Sequence, residues 1–316
     1  MSDRFSQETT LRDAEEIEHY FLSTTGMKPG YQQLARGPVD LKVRAVELDG
    51  VSIIWTRGGG RARWRDEMSG DGLHLGFAIE CDGPIRSRGR ALGRNDGQLW
   101  MQDKEMDLIL GGSNLTLDVG VSRELVDELG WHYSGDPVAE VPSRSLNAFV
   151  QTCRKVTANL ATHPDTTTAG AEHLAGQSAA VLQSLEPVLD PWISRRNEQT
   201  PATRSQSFRV LESADEFFER LQPGQKLNVD DLADALGVSR RTVFHTFRTQ
   251  YGIGPRRYLE LKRLYALRTS LRNADPEQAS VSRLAGDYGF EDLGRMAQRY
   301  RELFNEFPSD TLQRTP

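Results

Sequence analysis

LADALGVSRRTVFHTFRTQYGIGP at residues 232–255 and LAGDYGFEDLGRMAQRYRELFNEFP at residues 284–308 are two versions of one pattern. Leu232 matches Leu284, Ala233 matches Ala285 and Gly237 matches Gly289 at an offset of 52, and the closing YGIGP and FNEFP match at 53. A repeat of this length marks two similar helical units. In each, a short helix ends at a glycine that can take positive φ and a second helix follows almost at once, the layout of a helix-turn-helix. The small Ala233 and Ala285 let the paired helices approach closely.

Local chemistry agrees in the first unit, where Asn228 with Asp231 three later is an N-cap for the first helix and Ser239 caps the second. Val243 and Phe247, at i and i+4, face a core, which turns Arg240, Arg241 and His245 outward. An outward Arg matches guanine O6 and N7, His245 can donate to a base or a phosphate, and Arg248 one turn later suits the backbone. Between the units, PRRYLELKRLYALRTSLRN carries Tyr258, Leu261, Leu264, Tyr265 and Leu271 on one face, which predicts a single long helix. Two readers on one stiff spacer reach successive major grooves about 34 Å apart.

Upstream, RRNEQTPATRSQS (195–207) holds no large apolar side chain and includes Pro201, so it reads as a solvated linker. The domains expected are 1–195, a linker at 196–207, and a helical domain at 208–316. The chain from Leu41 to Gly120 reads as β-structure: LKVRAVELDGVSIIW is two extended runs joined at Asp49-Gly50, and further short runs lie at 73–80, 98–102, 107–111 and 114–120. From Ser145 the period becomes helical, with Leu146, Phe149, Val150, Cys153, Val156 and Leu160 in one stripe and Leu174, Val181, Leu182, Leu185 and Leu189 in a second. This helical hairpin either caps the β-structure or offers its outer face to a second copy. The fold class is α+β: an N-terminal β-sandwich or barrel with a helical hairpin, then an all-α domain with two helix-turn-helix units joined by a long helix.

Composition sets the bounds. The 316 residues are 37% hydrophobic and 27% charged, which suits packed domains and excludes a mostly disordered chain. MSDRFSQETT lacks the basic head and apolar run of a signal peptide, and no stretch is long enough for a membrane span, so a cytoplasmic protein is expected. Cys81 and Cys153 form no CxxC pair and are expected as buried small apolar residues. The net charge of −6 conceals a split: residues 1–206 hold 22 Lys+Arg against 29 Asp+Glu, while 207–316 hold 17 against 16. From Arg240 to Arg272 there are nine basic residues and only Glu260 against them. Since screening acts over about 8 Å, that local excess matters more than the total.

These motifs together resemble the DNA-binding domain of AraC/XylS-type transcription regulators, over about 100 residues from near Phe208 to the end. The resemblance implies a seven-helix domain that binds asymmetric sites in double-stranded DNA as one polypeptide, with RNA polymerase as a partner. By position it makes Arg240, Arg241, Phe244 and His245 base-facing in the first unit, and Leu293, Gly294, Arg295 and Gln298 in the second, with Arg301 one turn further along. The second unit departs from the pattern: Asp292 stands beside Glu291, Met296 replaces an aromatic and Asn305 replaces a Gly. Two carboxylates at a helix N-terminus suit its dipole but repel phosphate, so the first unit is expected to supply more of the affinity.

In such regulators the other domain senses a signal or forms a homodimer, and by layout the β-rich part resembles their cupin-like sensor domain. No metal or other cofactor is expected, since His74 stands alone among the strands and His19, His132, His163, His173 and His245 form no ligand spacing. An enzyme fused to a DNA-binding domain, a cupin oxygenase or a cysteine-dependent DNA alkyl-transfer protein, would need residues that are missing. Gly58, Gly59 and Gly60 are not followed by Lys-Ser/Thr and read as a hairpin turn. With 33 Arg in the chain, Arg-x-Arg-x-Arg is expected about 0.3 times, yet occurs as Arg61, Arg63, Arg65 and as Arg86, Arg88, Arg90. On strands, each trio lies on one face, and two such strands would make an anionic-effector site. The other reading is a solvated face balanced by Asp66, Glu67 and Glu80. Arg57-x-x-x-Arg61 also resembles the arginine motif of PilZ-type receptors, with Glu67, Ser69 and Gly72 approximating its second part, which makes cyclic di-GMP a candidate. Control by a partner protein instead of a ligand remains an alternative.

Overall fold

The computed structural model describes residues 8–25, 29–35, 37, 39–67, 72–93, 95–101, 105–132, 136–162, 168–193, 206–221, 225 and 227–314. It divides into two compact units, Met1–Gln32 with Val39–Thr203, and Gln33–Pro38 with Arg204–Pro316. Among the described residues no helix is long and apolar enough to cross a membrane.

The first unit holds strands β1 (Thr9–Leu11), β2 (Gly30–Gln33), β3 (Leu41–Glu47), β4 (Val51–Gly58), β5 (Ala62–Glu67), β6 (Gly72–Cys81), β7 (Ile85–Ser87), β8 (Arg90–Leu92), β9 (Asp96–Met101), β10 (Glu105–Leu110), β11 (Asn114–Ser122) and β12 (Val138–Glu140). Helix α1 (Ala14–Thr25) precedes β2, α2 (Arg123–Glu128) follows β11, and α3 (Ser143–Thr162) and α4 (Thr168–Leu189) close the unit. The strands form a seven-stranded sheet, β1-β3-β4-β11-β6-β9-β12, and a five-stranded sheet, β2-β5-β10-β7-β8. At the β3–β4 turn Gly50 takes φ +70°, and Leu48 N–H bonds Val51 O at 2.8 Å, so the expected Asp49-Gly50 hairpin is present.

Two apolar layers follow from the period of two. Val43, Ala45 and Ile54 of the larger sheet meet Ala62, Trp64, Ile85, Leu108 and Leu110 of the smaller one, with Ile17 and Phe21 of α1. On its other side, Ile53, Leu75, Phe77, Leu117 and Val119 pack with Phe149, Cys153 and Val156 of α3 and Val181 and Leu185 of α4. The stripes of the helical hairpin are therefore buried inside the unit. Because the seven-stranded sheet is covered on both sides, its central β11 is buried almost continuously instead of alternating.

Three expectations are corrected here. Gly58–Gly60 is not a hairpin turn: β4 pairs with β3 and β11 while β5 pairs with β10, so these glycines carry the chain from one sheet to the other. Arg86, Arg88 and Arg90 do not share a strand, because Arg88 (φ +48°) and Gly89 (φ +76°) form a tight turn between β7 and β8. Positive φ at both central positions is the hairpin geometry that matches strand twist. Cys153 is buried, but Cys81 is half-buried, its thiol donating to Gly83 O at 3.1 Å.

The second unit is helical: α5 (Gln206–Arg220), α6 (Val229–Ala235), α7 (Arg240–Tyr251), α8 (Pro255–Asn273), α9 (Val281–Asp287), α10 (Leu293–Phe304) and α11 (Pro308–Gln313). The expected linker at 196–207 lies outside the described residues, apart from Gln206 and Ser207 at the start of α5. The long helix runs unbroken over the predicted nineteen residues, with Tyr258, Leu261, Leu264 and Leu271 buried.

Candidate functional sites

Two helix pairs, α6–α7 and α9–α10, are built by the same local devices. Asn228 caps α6 by accepting Asp230 N–H at 3.1 Å, and Ser239 caps α7 by accepting Thr242 N–H at 3.1 Å. In the second pair Ser280 accepts Arg283 N–H at 3.3 Å and Asp292 accepts Arg295 N–H at 2.9 Å. Gly237 (φ +62°) and Gly289 (φ +78°) make the turn inside each pair, a conformation that carries no penalty for glycine. Gly252 (φ +72°) ends α7 and Asn305 (φ +58°) ends α10, so Asn305 replaces a glycine by adopting the left-handed cap itself.

The apolar side of α7 is Val243, Phe247 and Tyr251, each fully buried. Phe247 packs edge-on against Phe218, Tyr251 and Tyr258 at centroid distances of 6.0, 5.6 and 5.5 Å. Arg240, Arg241, His245 and Arg248 are exposed on the other side and Phe244 is half-buried. Arg240 is held by Asp230 at 3.2 Å and leans over the Phe244 ring, which leaves Arg241, His245 and Arg248 as the outward donors of α7. On α10, Leu293, Gly294, Arg295, Gln298 and Arg301 are exposed and Met296 and Tyr300 are buried. The Asp292 carboxylate that disturbs the sequence pattern is the N-cap of α10. Arg301 sits over the Phe307 ring at 4.8 Å.

The helix-turn-helix family model, described as "Helix-turn-helix domain", matches residues 232–314. The chain is 32% identical over 105 residues to a XylDLEGF operon transcriptional activator of Pseudomonas putida, which is 33% of this chain and 31% of that protein. The C-terminal region is an AraC/XylS-type helix-turn-helix domain. The transcriptional activator RhaS of Escherichia coli is 35% identical to this AraC/XylS-type domain over 88 residues, 28% of this chain and 31% of that one. The chain thus spans about a third of the length of these relatives. A crystal structure of the AraC-like transcriptional activator CuxR aligns over 89% of this chain and all of that one, at 12% identity and a TM-score of 0.44.

In the first unit, β5 and β7 flank β10, and Arg63, Ile109 and Arg86 stand in one row, with Arg65 opposite Asp107 in the next. Directly opposed residues point to the same side. Arg63, Arg65 and Arg86 therefore share the side of the small sheet away from Trp64, and Arg88 enters beside them through its N–H to Asp107 O at 2.9 Å. Arg61 precedes β5 and is half-buried, as are Arg65, Arg86 and Arg88. Arg63 and Arg90 are each ion-paired. Arg63, 2% exposed, forks onto Asp107 through Nε at 2.9 Å and Nη2 at 2.7 Å. Arg90 is exposed and pairs with Asp136 at 3.6 Å. Glu80, expected to balance the arginines, pairs with Arg57 at 3.2 Å. The side chains of Asp66 and Glu67, and Ser69 entirely, lie outside the described residues.

A cavity that no motif or periodicity in the sequence signals lies between the two sheets. It measures about 60 Å³ and is walled by Phe21, Trp64, Trp100 and Leu108, with Thr56, Thr116, Asp118 and His74 as its polar lining. Thr116 donates to Asp118 at 3.2 Å. Burial pushes the Asp118 carboxyl up to about 7 against the pull of Thr116, pushes Glu47 up to about 7, and pushes His74 down to about 4. Alternation along β11 would have put Asp118 with Thr116 and Gly120, but no local signal shows that this side faces an interior. With a folded value above the ordinary 3.8, the native protein holds a proton that the unfolded chain releases. That stability is complete below pH about 4 and lost as pH rises to about 7. Glu47 acts in the same direction and His74 in the opposite one. Subtracting curves isolates the carboxyl: Asp118→Asn should gain stability relative to the parent between pH 5 and pH 8 in urea unfolding, and parallel curves would refute it.

Proposed function

We propose that this protein is a sequence-specific DNA-binding transcription regulator. Its C-terminal region reads double-stranded DNA through two helix-turn-helix units, and its N-terminal cupin-like domain responds to an effector. The observation that carries the reading is the shared construction of α7 and α10: each is capped by a side chain at its start, buried on one side, and exposes arginine on the other. Arg241 and His245 meet base edges in one groove, Arg295 and Gln298 in the next, and Arg248 and Arg301 bond phosphates. The named relatives are activators, which supports RNA polymerase as a partner, and homodimerisation through the N-terminal domain is part of the same proposal. A gel shift with the full chain on DNA upstream of its own coding sequence tests this. A site-specific shift that survives competitor DNA is expected, and equal binding to every duplex sinks the proposal.

Within this reading the first unit dominates affinity. Arg241→Ala should cost about 1–3 kcal/mol of operator binding and relax preference at one base pair. Arg295→Ala should cost less, because Glu291 and Asp292 hold negative charge beside it. Equal losses in a titration at fixed salt count against the ranking.

For the effector, we favour an anionic molecule such as cyclic di-GMP on the side of the small sheet away from Trp64. Support comes from Arg65, Arg86 and Arg88, which the strand register places beside the Arg63–Asp107 pair, with Arg61 just before β5; planar guanidinium both forks onto phosphate and stacks on purines. Calorimetry with cyclic di-GMP should give saturable heat that Arg65→Ala or Arg86→Ala reduces. No heat with any anionic nucleotide removes the idea. The aromatic-walled cavity supports a second reading, a small uncharged effector bonded to Thr116 and Asp118.

A further inference from the structure

A second basic surface, distinct from the exposed sides of α7 and α10, lies in the helical unit. A groove of about 600 Å³ is lined by Arg256, Arg257, Arg263 and Arg299, with Phe290 in its wall and Glu260 as its one carboxylate. Glu260 is used twice, by Arg257 at 2.7 Å and by Arg299. Arg263 donates to Gln225 O, and Arg256 is exposed with no ion pair among the described residues. Glu302 also acts electrostatically on Arg257, but four guanidiniums still outnumber these two carboxylates, and an apolar backing focuses the remaining positive field into the groove.

Its location selects the occupant. Arg256 lies two residues after Gly254, and the ring of Phe244 on α7 stands 3.8 Å from where a Gly254 Cβ would sit. On the far side, Arg299 follows Gln298 on α10. One end of the groove is therefore near the start of α8, whose preceding Gly254 neighbours Phe244 of α7, and the other end is reached by Arg299 of α10. A duplex whose successive major grooves receive α7 and α10 must carry its intervening phosphodiester strand past this point.

We infer that this groove is a phosphate clamp for the DNA backbone between the two reading helices, with Arg256 and Arg263 as its principal contacts. The inference rests on the DNA-reading function proposed above. The clamp carries no sequence information; it fixes spacing and register, and it adds affinity on any duplex.

The test is fluorescence anisotropy with the full chain, on its operator and on a scrambled duplex, across several salt concentrations. Arg256→Ala and Arg263→Gln should each weaken both duplexes alike and reduce the slope of log K against log salt by about 0.9, and the double variant by about twice that. Arg256→Lys should restore the slope. Arg241→Ala, run alongside, should instead narrow the gap between operator and scrambled duplex. If the double variant keeps the parent slope while Arg241→Ala loses discrimination, the clamp is wrong and the reading helices stand. If the parent itself shows no discrimination, the DNA-reading function and the clamp fall together. Tight binding of inorganic pyrophosphate that the double variant loses, with an unchanged salt slope, would assign the groove to a small polyanion and overturn the clamp.

Discussion

Asp107→Ala destabilises the protein by about 3–5 kcal/mol, the cost of removing the carboxylate onto which the buried Arg63 guanidinium forks. The side chains of Arg63 and Asp107 are only 2% and 4% exposed, and the carboxylate receives two guanidinium bonds at 2.9 and 2.7 Å. Water has little access to replace the two bonds that the substitution removes, so much of the cation's desolvation penalty appears in the folded state. Arg57→Ala makes the contrast: its 3.2 Å partner Glu80 is half exposed, and such pairs contribute roughly 0–1 kcal/mol. The buried pair need not add net stability over an apolar one. Arg63→Met with Asp107→Leu, which removes both charges together, should recover most of the loss. Urea unfolding of the three variants decides; a single Asp107→Ala loss within 1 kcal/mol of Arg57→Ala would show that solvent or the other groups around Arg63 compensate for the carboxylate.

That pair also marks where reading the chain alone fails. Arg63 and Asp107 are 44 positions apart, and each sits in an unremarkable alternating run. Only the pairing of β5 with β10 brings them together, and sheet partners are set by packing across the whole unit. The same applies to Asp118: alternation puts it opposite Leu117 and Val119, but the facing sheet turns that side into a cavity wall. The RSRGR run invites one extended strand, yet the Arg88–Gly89 turn breaks it, because positive φ at a non-glycine residue leaves no trace in the alternation. By contrast, the helical unit is legible because its determinants are local. Ser239, Gly237, Gly252 and Pro255 each act on backbone within four residues, and their counterparts Asp292, Gly289, Asn305 and Pro308 repeat them. What remained hidden there was the partner of Arg240, since Asp230 lies on the preceding helix.

Phe247→Ala and Phe244→Ala should both abolish tight DNA binding for opposite reasons, and temperature separates them. Phe247 is fully buried among Phe218, Tyr251 and Tyr258, and Tyr251 stacks on Tyr258 at 4.6 Å and 4°. Truncation removes a ring from a close-packed aromatic cluster whose neighbours are fixed on three helices, which limits collapse into the void. About 3–5 kcal/mol is expected, enough to unfold much of a unit of ordinary stability near 37 °C. Phe244 is half-buried, its ring beside Gly254 and under Arg240, so its removal should cost about 1 kcal/mol of stability or less. On the DNA-reading function proposed above, its effect on binding comes through a lost base-facing contact and a freed Arg240. At 10 °C, where the folded fraction of Phe247→Ala recovers, its operator affinity should return toward the parent value, while Phe244→Ala should remain weak at both temperatures. Should Phe247→Ala stay defective when circular dichroism shows it folded, the ring would have to meet DNA directly. The buried and exposed sides of α7 would then be reversed.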